Sequence, residues 1–195
     1  MSNPDVNSRM VLAMRNIGVG HAGMQDFCRT FNMKGLAVNT YTNYVKKLKD
    51  TCEAVVKRTP NKAAQHVRSV YEVKFPELKD QRIIDVAVTY DGTWHRRGRT
   101  SHYGVSVVID LMTGLAIDFE LLSNFCHCCT LAKNTKSQAE FDEWFEEHKN
   151  ECQANHDGSA CSMESKAALI LWNRSIDNYG LRYTTVLSDG DAKTK

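Results

Sequence analysis

Residues 83–90 read IIDVAVTY, residues 103–110 read YGVSVVID and residues 115–122 read LAIDFELL. The first is mostly β-branched and apolar, as a buried strand is. The second reads as a further strand, and the third alternates, as a strand with two unlike faces does. Leu111-Met112-Thr113-Gly114 lies between them and reads as a hairpin turn, with the glycine supplying positive φ. A helix over 163–178 (MESKAALILWNRSIDN) follows later, ended by Gly180. Residues 181–187 (LRYTTVL) then read as a fourth strand. The order is strand, strand, strand, helix, strand. It predicts an antiparallel three-strand meander joined by a helical crossover to a fourth strand.

The two halves of the chain differ in charge. Residues 1–82 hold 14 Lys and Arg against 7 Asp and Glu, whereas residues 83–195 hold 11 against 16. The net charge of +2 over 195 residues conceals this contrast. Residues 1–20 read as a lead-in with one short helix, and three more helices are expected before residue 82: one over 22–31, one from the candidate N-cap Thr40 to Arg58, and one over 62–73 beyond a break at Pro60. Tyr41, Tyr44, Val45, Leu48, Cys52 and Val55 make an apolar stripe on the second of these, and Cys28 and Cys52 read as core residues. Its opposite face carries Lys46, Lys47 and Lys49. The expected organisation is a basic N-terminal helical region, 1–82, and a sheet-containing core, 83–195, with a Cys/His-rich insertion at about 124–161.

Composition excludes several classes. With 3 Pro and 11 Gly, the chain is neither collagenous nor a low-complexity linker. No apolar run reaches the roughly 18 residues of a membrane span. The N-terminus shows no secretory pattern, so an intracellular, nuclear site of action is expected.

Two acids follow strands directly: Asp91 in Tyr90-Asp91-Gly92, and Asp189 in Ser188-Asp189-Gly190-Asp191. Carboxylates at strand ends suit Mg²⁺ or Mn²⁺, hard cations that take oxygen ligands, and a metal pair activates water in phosphodiester cleavage. Asp-Gly pairs also suit hairpin turns. The run His95-Arg96-Arg97-Gly98-Arg99 beside Asp91 is suited to clamping a phosphate backbone through Arg96, Arg97 and Arg99. Lys46 and Lys47 are candidate phosphate contacts from the second helix.

Five of the seven cysteines fall between 126 and 161. Cys126-x-x-Cys129 and Cys152-x-x-x-His156 form a Cys₃His set with the spacing of a structural zinc site. Cys128 is an alternative to one of the first pair, and His127, His148 and Cys161 are further candidates. Reduced thiols without metal, or disulfides, are the competing readings, and disulfides fit an intracellular chain poorly.

The strings DGTWHRRG (91–98), SHYGVSVVIDLMTGLAIDFELLSNFCHCC (101–129), CQANHDGSACSME (152–164) and LRYTTVLSDGDAKT (181–194) together resemble the Mutator-like transposase domain of mobile elements. The resemblance implies a DDE-type catalytic core of ribonuclease-H-like α/β fold that cuts DNA at element ends and joins it to target DNA. The first catalytic acid would fall on Asp91 and the second on Asp189, with Asp191 as its rival. The family pattern also asks for a third acid on a helix beyond the second. The sequence reaches Lys195 without one, so a truncated or inactive core is expected, with Glu164 as a substitute candidate. The alternatives are a non-catalytic DNA-binding derivative and a zinc-stabilised interaction module. A homo-oligomer is a further expectation.

Overall fold

A computed structural model describes residues 4–94 and 101–187. They form a mixed α/β chain in two compact units, Met1–Thr59 and Pro60–Lys195. The first strand begins at Ile84, and the second unit also takes in the helical segment from Pro60 onward.

The first unit contains α1 (Pro4–Asn16), α2 (His21–Thr30) and the start of α3 (Val38–Lys74). Val11, Met14, Met24, Cys28 and Tyr41 are buried together. His21 lies beside the Tyr41 ring, and its Nε2 meets the Leu36 carbonyl at 2.8 Å. That bond ties the 31–37 connection to α2. Lys46, Lys47 and Lys49 are exposed, with Lys47 over the Tyr44 ring and Lys49 3.6 Å from Glu53.

Two expectations about α3 change. Pro60 does not break it; the helix runs through. Proline removes one backbone donor and crowds the preceding turn, a local cost. Burial on both sides outweighs it: Tyr41, Tyr44 and Leu48 pack before Pro60, and Ala63, Ala64, Val67 and Tyr71 after it. Cys52 is exposed rather than core, because residues 50–59 are all exposed and burial along the helix resumes at Pro60.

The second unit is built on a four-stranded sheet ordered β3-β2-β1-β4. Its strands are β1 (Ile84–Trp94), β2 (Tyr103–Asp110), β3 (Ala116–Ser123) and β4 (Leu181–Leu187). β1, β2 and β3 pair antiparallel and β4 pairs parallel to β1. The expected meander and crossover are present. The crossover passes through α4 (His127–Thr135), α5 (Gln138–His148) and α6 (Ala160–Tyr179). Gly180 ends α6 in the left-handed region, at φ 64°, and its N–H reaches the Ile176 carbonyl.

Alternate residues of β1 (Ile84, Val86, Val88 and Tyr90) face the core with Val108, Ile117, Leu171 and Leu181. At about 25 cal/mol per Å² of apolar surface removed from water, each such side chain contributes about 2 kcal/mol. The Leu111–Gly114 turn forms as expected: Gly114 has φ 70°, and Asp110 Oδ2 accepts from both the amide and the hydroxyl of Thr113 at 2.7 Å. The pairing of β1 with β4 slips once, between Val86 and Ala87, so that Thr184 bulges out of the ladder.

β1 also runs longer than its apolar stretch suggests. Asp91-Gly92-Thr93-Trp94 is not a turn after the strand; it continues the strand, with Asp91 opposite Val107 and Trp94 opposite Gly104. The Trp94 ring lies across Gly104, where a Cβ would collide with it. Glycine at 104 is therefore what lets the end of β1 stay flat against β2.

Candidate functional site

Cys126 is the N-cap of α4, in extended conformation, and Cys129 follows on the first turn of that helix. α5 begins at a capping box: the Ser137 amide and hydroxyl both donate to Glu140 Oε2, at 2.8 and 2.7 Å. Lys133 of α4 lies over the Phe141 ring of α5, 5.4 Å from its centroid. The two helices therefore bring His148, the last residue of α5, back to Cys126. Cys152 arrives in the turn that follows.

The four ligand atoms of Cys126, Cys129, His148 and Cys152 lie within 4.8 Å of one another. Cys126 Sγ is 3.3 Å from His148 Nε2, and Cys129 Sγ is 3.5 Å from Cys152 Sγ. Tetrahedral zinc, with bonds of about 2.3 Å to sulfur and 2.0 Å to nitrogen, has edges of about 3.8 Å between sulfurs and 3.5 Å from sulfur to nitrogen. Four half-buried to buried soft donors at that separation fit a closed structural site. Burial raises the Cys126 thiol, but the amide donors of Cys129 and Gln153 and the His148 ring outweigh it and hold the thiol at about 5. Burial and the neighbouring Cys152 and Cys126 push Cys129 up to about 12. A cation is the group that would let all three sulfurs ionise together.

The structure thus joins three of the expected cysteines and exchanges the histidine. His156 is not in the cluster. Ser162 Oγ donates to the Ser159 carbonyl at 2.8 Å, so it accepts from His156 Nε2 at 2.9 Å. Cys128, His127 and Cys161 are exposed and outside the cluster. Sequence spacing could not choose between the histidines, because His148-x-x-x-Cys152-x-x-x-His156 is symmetric about the cysteine. The direction of α5 breaks the tie.

The segment after Cys152 is fastened to the sheet. Asn155 Oδ1 accepts from the Ser123 amide at 2.7 Å, its Nδ2 donates to the Leu121 carbonyl at 2.9 Å, and its amide donates to the Ser123 carbonyl. The cluster is therefore anchored to the end of β3.

Asp91 is exposed on β1, with buried Tyr90 before it and Gly92 after it. A Cβ at Gly92 would meet Glu164 Cγ at 3.5 Å, and the Tyr90 hydroxyl donates to the Glu164 carbonyl at 2.6 Å. Burial, opposed by the Ser106 hydroxyl, and then the charges of Glu164 and Asp91 raise the Tyr90 phenol. Side chains alternate along a strand. Glu164 therefore packs on the face of Tyr90 and Gly92, and Asp91 stands on the other. Asp189, Asp191, Arg96, Arg97 and Arg99 lie outside the described residues.

Among the described residues, no helix is long and apolar enough to cross a membrane. A protein-family model described as Mutator-like transposase matches residues 1–195, the whole chain. No curated protein and no solved structure matches it.

Proposed function

The chain belongs to the Mutator-like transposase family, and we propose from that premise that it is a transposase-derived protein that acts on DNA in the nucleus through divalent-metal-assisted phosphodiester chemistry. The family match over the full length is the observation that carries this reading. The sheet order supports a ribonuclease-H-like core: three antiparallel strands, a helical crossover, and a fourth strand parallel to the first. The strand register supports pairing the two acids. Thr89 is the Cα partner of Leu187, and Asp91 and Asp189 each stand two residues beyond that pair in sequence.

In this reading Asp91 holds Mg²⁺ or Mn²⁺ through its carboxylate, with Asp189, or Asp191 in its place, as second ligand. The cation, when bound, supplies an activated water and neutralises charge on the leaving oxygen. Arg96, Arg97 and Arg99 clamp phosphates next to Asp91. Lys46 and Lys47 add backbone contacts that release counterions and make binding salt-dependent. Cys126, Cys129, His148 and Cys152 hold a structural zinc that fastens the insertion to β3.

A labelled DNA duplex incubated with the protein and Mg²⁺ or Mn²⁺ tests this. Metal-dependent nicking or joining that disappears in Asp91→Ala is the expected result. Salt-dependent binding without cleavage, unchanged in Asp91→Ala, would instead favour the non-catalytic DNA-binding derivative. No binding at all would leave only the zinc-stabilised interaction module.

A further inference from the structure

His148 is the one cluster member whose ligand atom sits at the tip of a ring, so the direction of its lone pair depends on the ring plane. A metal-bound histidine is usually oriented by a hydrogen bond from its other nitrogen to a carboxylate or carbonyl. Among the described residues, the only hydrogen-bond contact of the His148 ring is that of Nε2 with Cys126. The ring plane is set by Trp144 instead. Trp144 lies one helical turn earlier on α5, and the indole and imidazole are stacked with centroids 4.5 Å apart and planes 16° from parallel. Residues at i and i+4 share a helix face, so the α5 backbone itself delivers this contact. Phe141 and Phe145 stack beside it at 5.7 Å and 15°.

We propose that Trp144 is a positioning residue for a zinc centre, holding the His148 ring in the plane that aims Nε2 at the cluster of Cys126, Cys129 and Cys152. The inference rests on reading that cluster as a zinc site. An imidazole bound to a cation carries extra positive charge, and the indole face attracts it, so the stack favours the loaded state. Trp144 then contributes to metal affinity without touching the metal.

Co²⁺ titration of the full chain, read by thiolate charge-transfer and visible d–d bands, tests this together with competition by Zn²⁺. Substituting an outer partner of a metal ligand commonly costs about 10–100-fold in affinity. Trp144→Leu keeps apolar bulk but removes the aromatic face; it should lose affinity in that range and shift the d–d bands. Trp144→Phe should stay within a few-fold of the parent. If Trp144→Leu binds Co²⁺ as the parent does, with the same bands, the positioning role is overturned while the metal centre stands. If the parent chain itself gives no thiolate–cobalt bands, the metal centre is wrong and the proposal falls with it.

Discussion

The Tyr71 hydroxyl donates to Asp110 Oδ1 at 3.0 Å and accepts the Ala87 amide at 3.3 Å. Asp110 is fully buried at the head of the β2–β3 turn, and Ala87 is the residue where the β1–β4 pairing slips. One phenol from α3 therefore satisfies a buried carboxylate and a strand amide at the bulge.

That double role makes Tyr71→Phe costly. The buried Asp110 Oδ1 and the half-buried Ala87 amide each lose a partner, and a buried polar atom left unsatisfied costs about 1–3 kcal/mol. Urea denaturation should show a lower midpoint. Tyr183→Phe is the contrasting case. The Tyr183 hydroxyl is buried and, among the described residues, has no hydrogen-bond partner. Its removal should leave stability unchanged or raise it by up to about 1 kcal/mol. Equal losses in the two variants would contradict the assigned roles.

Zinc binding should follow the geometric cluster rather than the sequence spacing. The purified chain should carry about one zinc, measured by plasma emission, as a closed four-ligand site does. Cys129→Ser and His148→Ala should lose it, and His156→Ala and Cys128→Ser should retain it. Chelation should lower the melting temperature, since ligands on separate helices are held together by the ion. Loss of zinc from His156→Ala with retention in His148→Ala would reverse the assignment.

Arg174 is the third test. Its guanidinium forks onto buried Asp118 at 2.8 and 2.9 Å, donates to the Phe119 carbonyl, and reaches Glu120 at 2.5 Å. Arg174→Met keeps much of the packing volume but strands the Asp118 charge, which costs about 3 kcal/mol when a buried pair is broken from one side. Arg174→Lys restores charge without the planar fork and should fall between. Denaturant midpoints in the order Arg, Lys, Met are expected.

Alkaline pH should destabilise the fold through its buried phenols. Burial and the charge of Asp118 push the Tyr179 phenol up to about 12, and burial raises Tyr183 and Tyr90 as well. Above pH 10 the unfolded phenols have lost their protons while the folded ones keep them. The unfolded state then binds fewer protons, and stability falls as pH rises. The contribution is complete below about pH 10 and is lost as pH climbs through about 12. Stability measured from pH 9 to 12 should decline, and Tyr179→Phe should decline less steeply. A flat profile would rule this out.

Much of the core was legible in residues 83–187. β2 and β4 have the ends expected from residues 103–110 and 181–187, and Gly114 and Gly180 stand where a turn and a helix end need positive φ. These features are local, and a few neighbouring residues decide them. The same local signals misplaced Asp91 and Pro60. An Asp-Gly pair reads as a turn until a partner strand is present to pair with it, and a proline reads as a stop until two packed faces hold the helix on either side of it.

The residues alone gave the order of the four strands, the helical crossover between the third and the fourth, the clustering of cysteines near β3, and the family to which the chain belongs. That His148 rather than His156 completes the Cys₃His group, and that Trp144 stacks on it, came from the packed chain. Three residues separate each histidine from Cys152, so the choice depends on which way α5 points, and packing of α5 against α4 sets that direction.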